Sequence, residues 1–405
     1  MMRPSQPLGQ VEFIALIAML FATIAFSIDA MLPALPRIAA DLSPDAPNRA
    51  QLIITSFVMG MGLGTFVAGP LSDSFGRRRV IVAGAILYCG AALAAWVAPS
   101  LETVLVARLI QGVGAAGPRV VSIALVRDLY KGRDMARIVS FAMMIFTLVP
   151  AIAPAMGQVI ISGFGWRAVF LTFVVFSSIS IVWVLTRQPE TLPPESRRPF
   201  TVNGLWNALV EVLGHRVIQL SIAAQTMAFA ALFATLSSTQ PIFDVTFNRA
   251  DSFPMYFAAI AILAGSASFL NARLVLRVGM RKLVLVTFAV QILLSGASTF
   301  LHGLHALPSG LVFPAYFIWT VGVFFMVGMT LGNLNALALE PVGHIAGMAA
   351  SVMGSLATVA SVILAIPVGL MFDGSPVPLM ASVTVFAGIG YMIMRRLAPA
   401  PSSPV

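Results

Sequence analysis

Residues Phe13–Pro36 read FIALIAMLFATIAFSIDAMLPALP, an apolar run interrupted by a single charged residue, Asp29. A helix rises about 1.5 Å per residue, so a run of this length crosses the roughly 30 Å of hydrocarbon in a bilayer. An ionised side chain placed there costs at least about 2.5–3.5 kcal/mol, and residues kept in spite of that cost usually handle ions or substrate. What Asp29 does depends on what surrounds this run.

Working outward, runs of the same kind recur along the whole chain, at about 12–35, 51–71, 80–98, 103–125, 137–160, 166–186, 217–240, 253–273, 282–302, 311–338, 345–371 and 377–394. Of 405 residues, 59% are hydrophobic and 10% charged, against roughly 25% charged in ordinary soluble proteins. The reading is an all-α integral membrane protein with twelve transmembrane helices. The first run is followed by prolines and charges instead of a small-residue cleavage site, so it is read as a retained span and not a cleaved signal.

The formal net charge of +9 would suit nucleic acid, but the placement of the charges argues against that partner. With both termini in the cytoplasm, Arg37, Arg49, Arg167 and Arg249 fall in outer loops and Arg108 and Arg119 within a span, while every other Lys and Arg lies on the cytoplasmic side. That is the positive-inside pattern. The lone cysteine, Cys89, excludes an internal disulfide and reads as core packing.

The longest polar interruption, RQPETLPPESRRPF (Arg187–Phe200), separates six spans from six. The expected organisation is a six-helix bundle over 1–187, a cytoplasmic linker over 188–215 that could hold a short surface helix, and a second six-helix bundle over 216–405. GRRRV at Gly76–Val80 and GMRKL at Gly279–Leu283 each follow a span and open the next, about half the chain apart. Duplication of a six-span unit is a transporter signature, with a binding site expected near mid-membrane between the halves.

Three motifs carry a resemblance. GPLSDSFGRRR (Gly69–Arg79) follows the second span, RLIQGVGAAG (Arg108–Gly117) lies in the fourth, and PAIAPAMGQ (Pro150–Gln158) lies in the fifth. Together they resemble the major facilitator superfamily, in its twelve-span drug:proton antiporter branch that includes the bicyclomycin and chloramphenicol resistance exporters. DAMLPALPRIAADL in the first span, RDLY at Arg127–Tyr130, GWRAVF at Gly165–Phe170 and AGMAAS at Ala346–Ser351 are similar to the same branch. The resemblance implies two pseudo-symmetric bundles, alternating access, the proton gradient as energy source with no cofactor and no metal, and a monomer in a bacterial inner membrane.

Read physically, Gly69 and Gly76 allow a tight turn and close approach, and Asp73 with Arg77 and Arg78 can form a charged latch. The resemblance implies that this latch closes the cytoplasmic side. Ser74 stands where the family usually has a basic residue, and Leu276 where the second copy would place the acid. Gln111 and Gly112 belong to the fourth-span motif. Pro150, Pro154 and Gly157 fall on one helix face, where proline bends a helix and glycine admits a neighbour; the resemblance makes this the antiporter motif, and a plain structural kink is the alternative.

Of fifteen acidic residues, only Asp29 is expected deep inside a span, roughly 25 Å from the inner surface, with Arg108 at roughly 22 Å. An acid and a base at one depth in lipid need each other. Because Asp29 can exchange a proton and Arg108 cannot, the pair is expected to act as a proton site that biases alternating access; a permanent structural salt bridge is the alternative. Arg119 is expected nearer the cytoplasmic end, where it can snorkel. Some relatives carry a second acid two turns earlier, where this chain has Phe21, which favours neutral or weakly charged substrates. Met59, Met143, Phe146 and Gln225 are candidates to line the pocket for a small amphipathic molecule.

A proton-driven exporter leads. Import of a small metabolite, by symport or facilitated, is the runner-up, and a non-transporting membrane sensor is a distant third. Enzyme chemistry is not expected, because the histidines are scattered and HExxH, GxxxxGK[ST] and a Ser–His–acid cluster are all missing from the sequence.

Overall fold

The computed structural model describes residues 8–197 and 199–397. It holds 12 helices long and apolar enough to cross a membrane: Gln10–Leu42, Pro47–Phe75, Arg77–Trp96, Leu101–Leu129, Gly132–Phe164, Ala168–Arg187, Arg216–Thr246, Phe253–Val278, Met280–Gly303, Ser309–Val342, Ala346–Leu370 and Val377–Arg395. These are spans one to twelve below. Each apolar run found in the sequence became a span, and most extend several residues beyond it. A short helix, Val202–Gly214, occupies the polar interruption.

The chain divides into two compact units, Met1–Asn207 with Asn248–Ala261, and Ala208–Phe247 with Ile262–Val405. Spans one to six belong to the first. In sequence terms the division falls after Asn207, inside the segment read as the linker, and the start of span eight groups with the first unit.

The repeated pentapeptides have the same backbone role. Spans two and three are joined through Gly76 at φ 98° and ψ 151°, and spans eight and nine through Gly279 at φ 83° and ψ 150°. Positive φ of this kind is open to glycine and strained for other residues, so a one-residue reversal between two long helices requires it.

Within the first unit, spans two and three pack on span four, and they reach it backbone to backbone. A Cβ added to Gly112 would lie 2.0 Å from the carbonyl oxygen of Phe57, and one on Gly60 would lie 1.9 Å from that of Leu109. Small residues allow such approach where lipid supplies no hydrophobic drive between helices. At one end of the unit Phe13, Leu16, Leu20, Ile81, Val121 and Leu125 form a buried apolar cluster. At the same end Arg187 donates to Glu12 at 2.8 Å, tying the end of span six to the start of span one.

Span one is interrupted. Its first helix, Gln10–Asp29, ends on the acid; a single 3-10 turn, Leu32–Ala34, and a second helix, Leu35–Leu42, follow. Pro33 and Pro36 have no N–H to donate, which ends the regular ladder. The segment beyond the break is held to its neighbours: Arg37 donates to the Ile161 carbonyl at 2.8 Å, and the Trp166 indole donates to Asp41 at 2.7 Å.

The backbone contact between spans two and four yields a prediction. Gly112→Val should lower the thermal stability of purified protein by the equivalent of about 1–3 kcal/mol or prevent folding. Gly90→Ala, where an added Cβ meets nothing within 4 Å, should leave stability unchanged, and equal effects of the two would contradict this packing.

Candidate functional site

Arg108 sits at the heart of the first unit with 0% exposure. Its Nε donates to the Ile53 carbonyl at 3.2 Å, one terminal nitrogen to Gln111 Oε1 at 2.7 Å, and the other to the Ser27 carbonyl at 3.0 Å. The Phe57 ring lies 4.3 Å from the guanidinium carbon, a cation–π contact strengthened by the burial of both side chains. Spans one, two and four are thus stitched together through one side chain.

Asp29 is buried at 5% exposure. The matched depth expected from the sequence holds, since Arg108 bonds the carbonyl two residues before Asp29. The expected ion pair does not form: among the described residues the salt bridges are Arg49–Glu102, Arg77–Asp73, Arg77–Asp128 and Arg187–Glu12. The reason is helical azimuth. Residues two apart on a helix point to nearly opposite sides, because each step turns the chain by about 100°. The face of span one that meets Arg108 is therefore not the face that carries the acid. Ser27 uses the inward face, its hydroxyl sharing a hydrogen bond with the Tyr88 phenol of span three, and Tyr88 was not singled out in the sequence.

Gly157 lies on the break of span one. A Cβ there would stand 2.2 Å from the carbonyl oxygen of Ala30, the residue after the acid. Pro154 and Gly157 are buried and Pro150 partly so, and span five stays helical through both prolines. The geometric role of this motif is to seat span five against the point where span one is interrupted.

At the Arg77 end, the latch residues do meet. Arg77, 8% exposed, forms an ion pair with Asp73, donates from Nε to Asp128 at 3.0 Å and donates to the Ser72 hydroxyl at 2.7 Å. Arg78 donates to the Leu185 carbonyl. Gly69 contributes its carbonyl to the Ser72 hydroxyl at 2.8 Å. Arg79 is exposed, as is Leu276 at 89% in the second copy, and the Ser74 hydroxyl returns to the Pro70 carbonyl.

Two residues of this cluster escaped the sequence reading. Asp128, on span four, is the second carboxylate on Arg77 and also receives the Thr191 hydroxyl at 2.8 Å. Glu190 accepts the backbone N–H groups of Arg77 at 2.8 Å and Arg78 at 3.1 Å, placing a carboxylate on the positive end of span three, where the helix dipole favours it. Asp128 stood within the RDLY stretch; Glu190 carried no signal beyond being an acid in a polar segment.

The four pocket candidates lie on spans two, five and seven. Met59 is partly buried on span two, and Met143 is 38% exposed on span five. Phe146 is helical, and its side chain lies outside the described residues. Gln225, in the second unit, is 3% exposed; its amide nitrogen donates to Asn335 at 3.2 Å, while its Oε1 has no partner.

Comparison with known proteins agrees with this fold. The family model described as Major Facilitator Superfamily matches residues 15–365. The bicyclomycin resistance protein homolog of Haemophilus influenzae is 31% identical over 355 residues, 85% of each chain. The multidrug resistance protein MdtL of Citrobacter koseri is 29% identical over 339 residues, 81% of this chain and 80% of its own. A crystal structure of a D-xylose-proton symporter superposes with a TM-score of 0.76 at 15% identity, covering 96% of this chain and 98% of that one, a likeness of fold. With twelve spans, the family motifs and relatives matched over more than four fifths of this chain in agreement, this transporter, which is not an enzyme, belongs to the Major Facilitator Superfamily.

Proposed function

We propose that the protein is a proton-coupled exporter of small amphipathic compounds of the drug class, working by alternating access in a bacterial inner membrane with both termini in the cytoplasm. The observation that carries this reading is Asp29: an acid buried within a membrane span, at an interruption of that span, and tied into no ion pair among the described residues. A carboxyl group so placed can exchange a proton without first breaking a salt bridge. Its charge state changes the cost of holding it in a low-dielectric interior, and that difference biases one conformation over another. Arg108, fixed by three oxygen acceptors, supplies a positive charge nearby.

The bicyclomycin and multidrug resistance proteins among its relatives support the substrate class. The Arg77 cluster is read as the cytoplasmic latch, with Asp73 as its more exposed acid at 41% and Asp128 its less exposed one at 21%.

Two predictions test these roles. In everted vesicles with an acidified interior, the wild-type protein should load a fluorescent amphipathic drug, while Asp29→Asn, of equal size but unable to ionise, should bind drug and fail to accumulate it. Accumulation by the Asn variant at the wild-type level would remove Asp29 from the proton path. Asp73→Asn should slow turnover roughly two- to five-fold, as expected for a half-exposed pair, and Asp128→Asn roughly ten-fold. In a double-mutant cycle with Arg77→Ala, neither acid should add its full effect; strict additivity would mean the three do not act together.

A further inference from the structure

Span four carries a second arginine whose situation differs from that of Arg108. The helix runs Leu101–Leu129, so Arg119 lies about 6 Å past its midpoint. It follows Arg108 by three turns and, at 100° per residue, returns to within about 20° of the same face. Arg108, Gly112 and Ala115 on that face are buried in protein, and Arg119 on the same face keeps partial exposure.

The two cations are satisfied in opposite ways. Arg108 spends its donors on Ile53, Gln111 and Ser27. Arg119 makes no ion pair, hydrogen bond or ring contact among the described residues. Asp29 is the lone acid deep in the spans of this unit, so their interior stays positive whether that acid is protonated or not. A partly accessible guanidinium in a water-poor environment, with its fork of donors unused, is matched by a planar or tetrahedral oxyanion.

We infer, building on the exporter reading above, that Arg119 recognises an anionic group on the transported compound, so that the preferred substrates are amphipathic anions such as sulfonates and carboxylates, and amphipathic cations are disfavoured. The guanidinium pairs with the oxyanion while the apolar body of the compound packs on neighbouring spans.

The test uses the full chain in lipid nanodiscs and two probes of the same aromatic skeleton, anilinonaphthalene sulfonate and the neutral phenylnaphthylamine, with empty nanodiscs subtracted. The wild-type protein should bind the sulfonate more tightly than the neutral probe. Arg119→Gln should lose roughly ten-fold or more in affinity for the sulfonate with the neutral probe unchanged, and Arg119→Lys, which keeps the charge, should retain most of the preference. Equal affinity of the wild type for both probes, or parallel loss of both probes in Arg119→Gln, would overturn the assignment. Binding at equilibrium needs no gradient. Asp29→Asn should therefore keep the sulfonate preference while losing accumulation, so failure of this inference and failure of the coupling reading give different results.

Discussion

A guanidinium placed in the middle of a membrane bundle must be given oxygen atoms, because neither lipid nor water supplies them there. Arg108 obtains two of its three from main-chain carbonyls, those of Ile53 and Ser27. A side chain can reach carbonyls on two other helices at once only if their backbones come close. The glycines provide that approach: Gly60 and Gly112 bring spans two and four into direct main-chain contact. Because Arg108 is satisfied by carbonyls and Gln111, Asp29 is not consumed in neutralising it. An interaction that first looked like a salt bridge is better described as a fixed cation beside an uncommitted acid.

Span four then links the regions of the first unit. Along one helix it presents Arg108 at the core, Arg119 three turns on, and Asp128 near its end, where that carboxylate holds Arg77. Span one is the interrupted counterpart, continuous up to Asp29 and broken immediately after it, with Gly157 of span five seated on the break. An unbroken helix beside an interrupted one would give protonation a place to act, since the interruption is where the main chain can change direction without losing a regular ladder of hydrogen bonds.

Much of this was legible from residue pattern. Hydrophobic length located the spans, and the paired Gly-Arg pentapeptides located two glycine turns with closely similar backbone angles. Counting residues also placed Asp29 and Arg108 at one depth. Depth is a linear quantity that the rise per residue determines, whereas direction around the helix depends on how neighbours pack, and there the reading of Asp29 and Arg108 as an ion pair was wrong. Glu190 and Asp128 were invisible as latch residues because their partners are distant in sequence, and a tertiary contact to a backbone N–H leaves no spacing signature. Gln111 was singled out through its motif, yet its use, holding Arg108 at 2.7 Å, emerged only from the fold.

The central claim is that Asp29 changes protonation during transport. Infrared difference spectra of the nanodisc-embedded protein between acidic and alkaline buffer measure that directly through the carboxyl carbonyl stretch. The account predicts a protonated-carboxyl band in the wild-type spectrum that is missing from Asp29→Asn and changes in intensity when substrate is added. Identical difference spectra for the wild type and Asp29→Asn, with or without substrate, would contradict it.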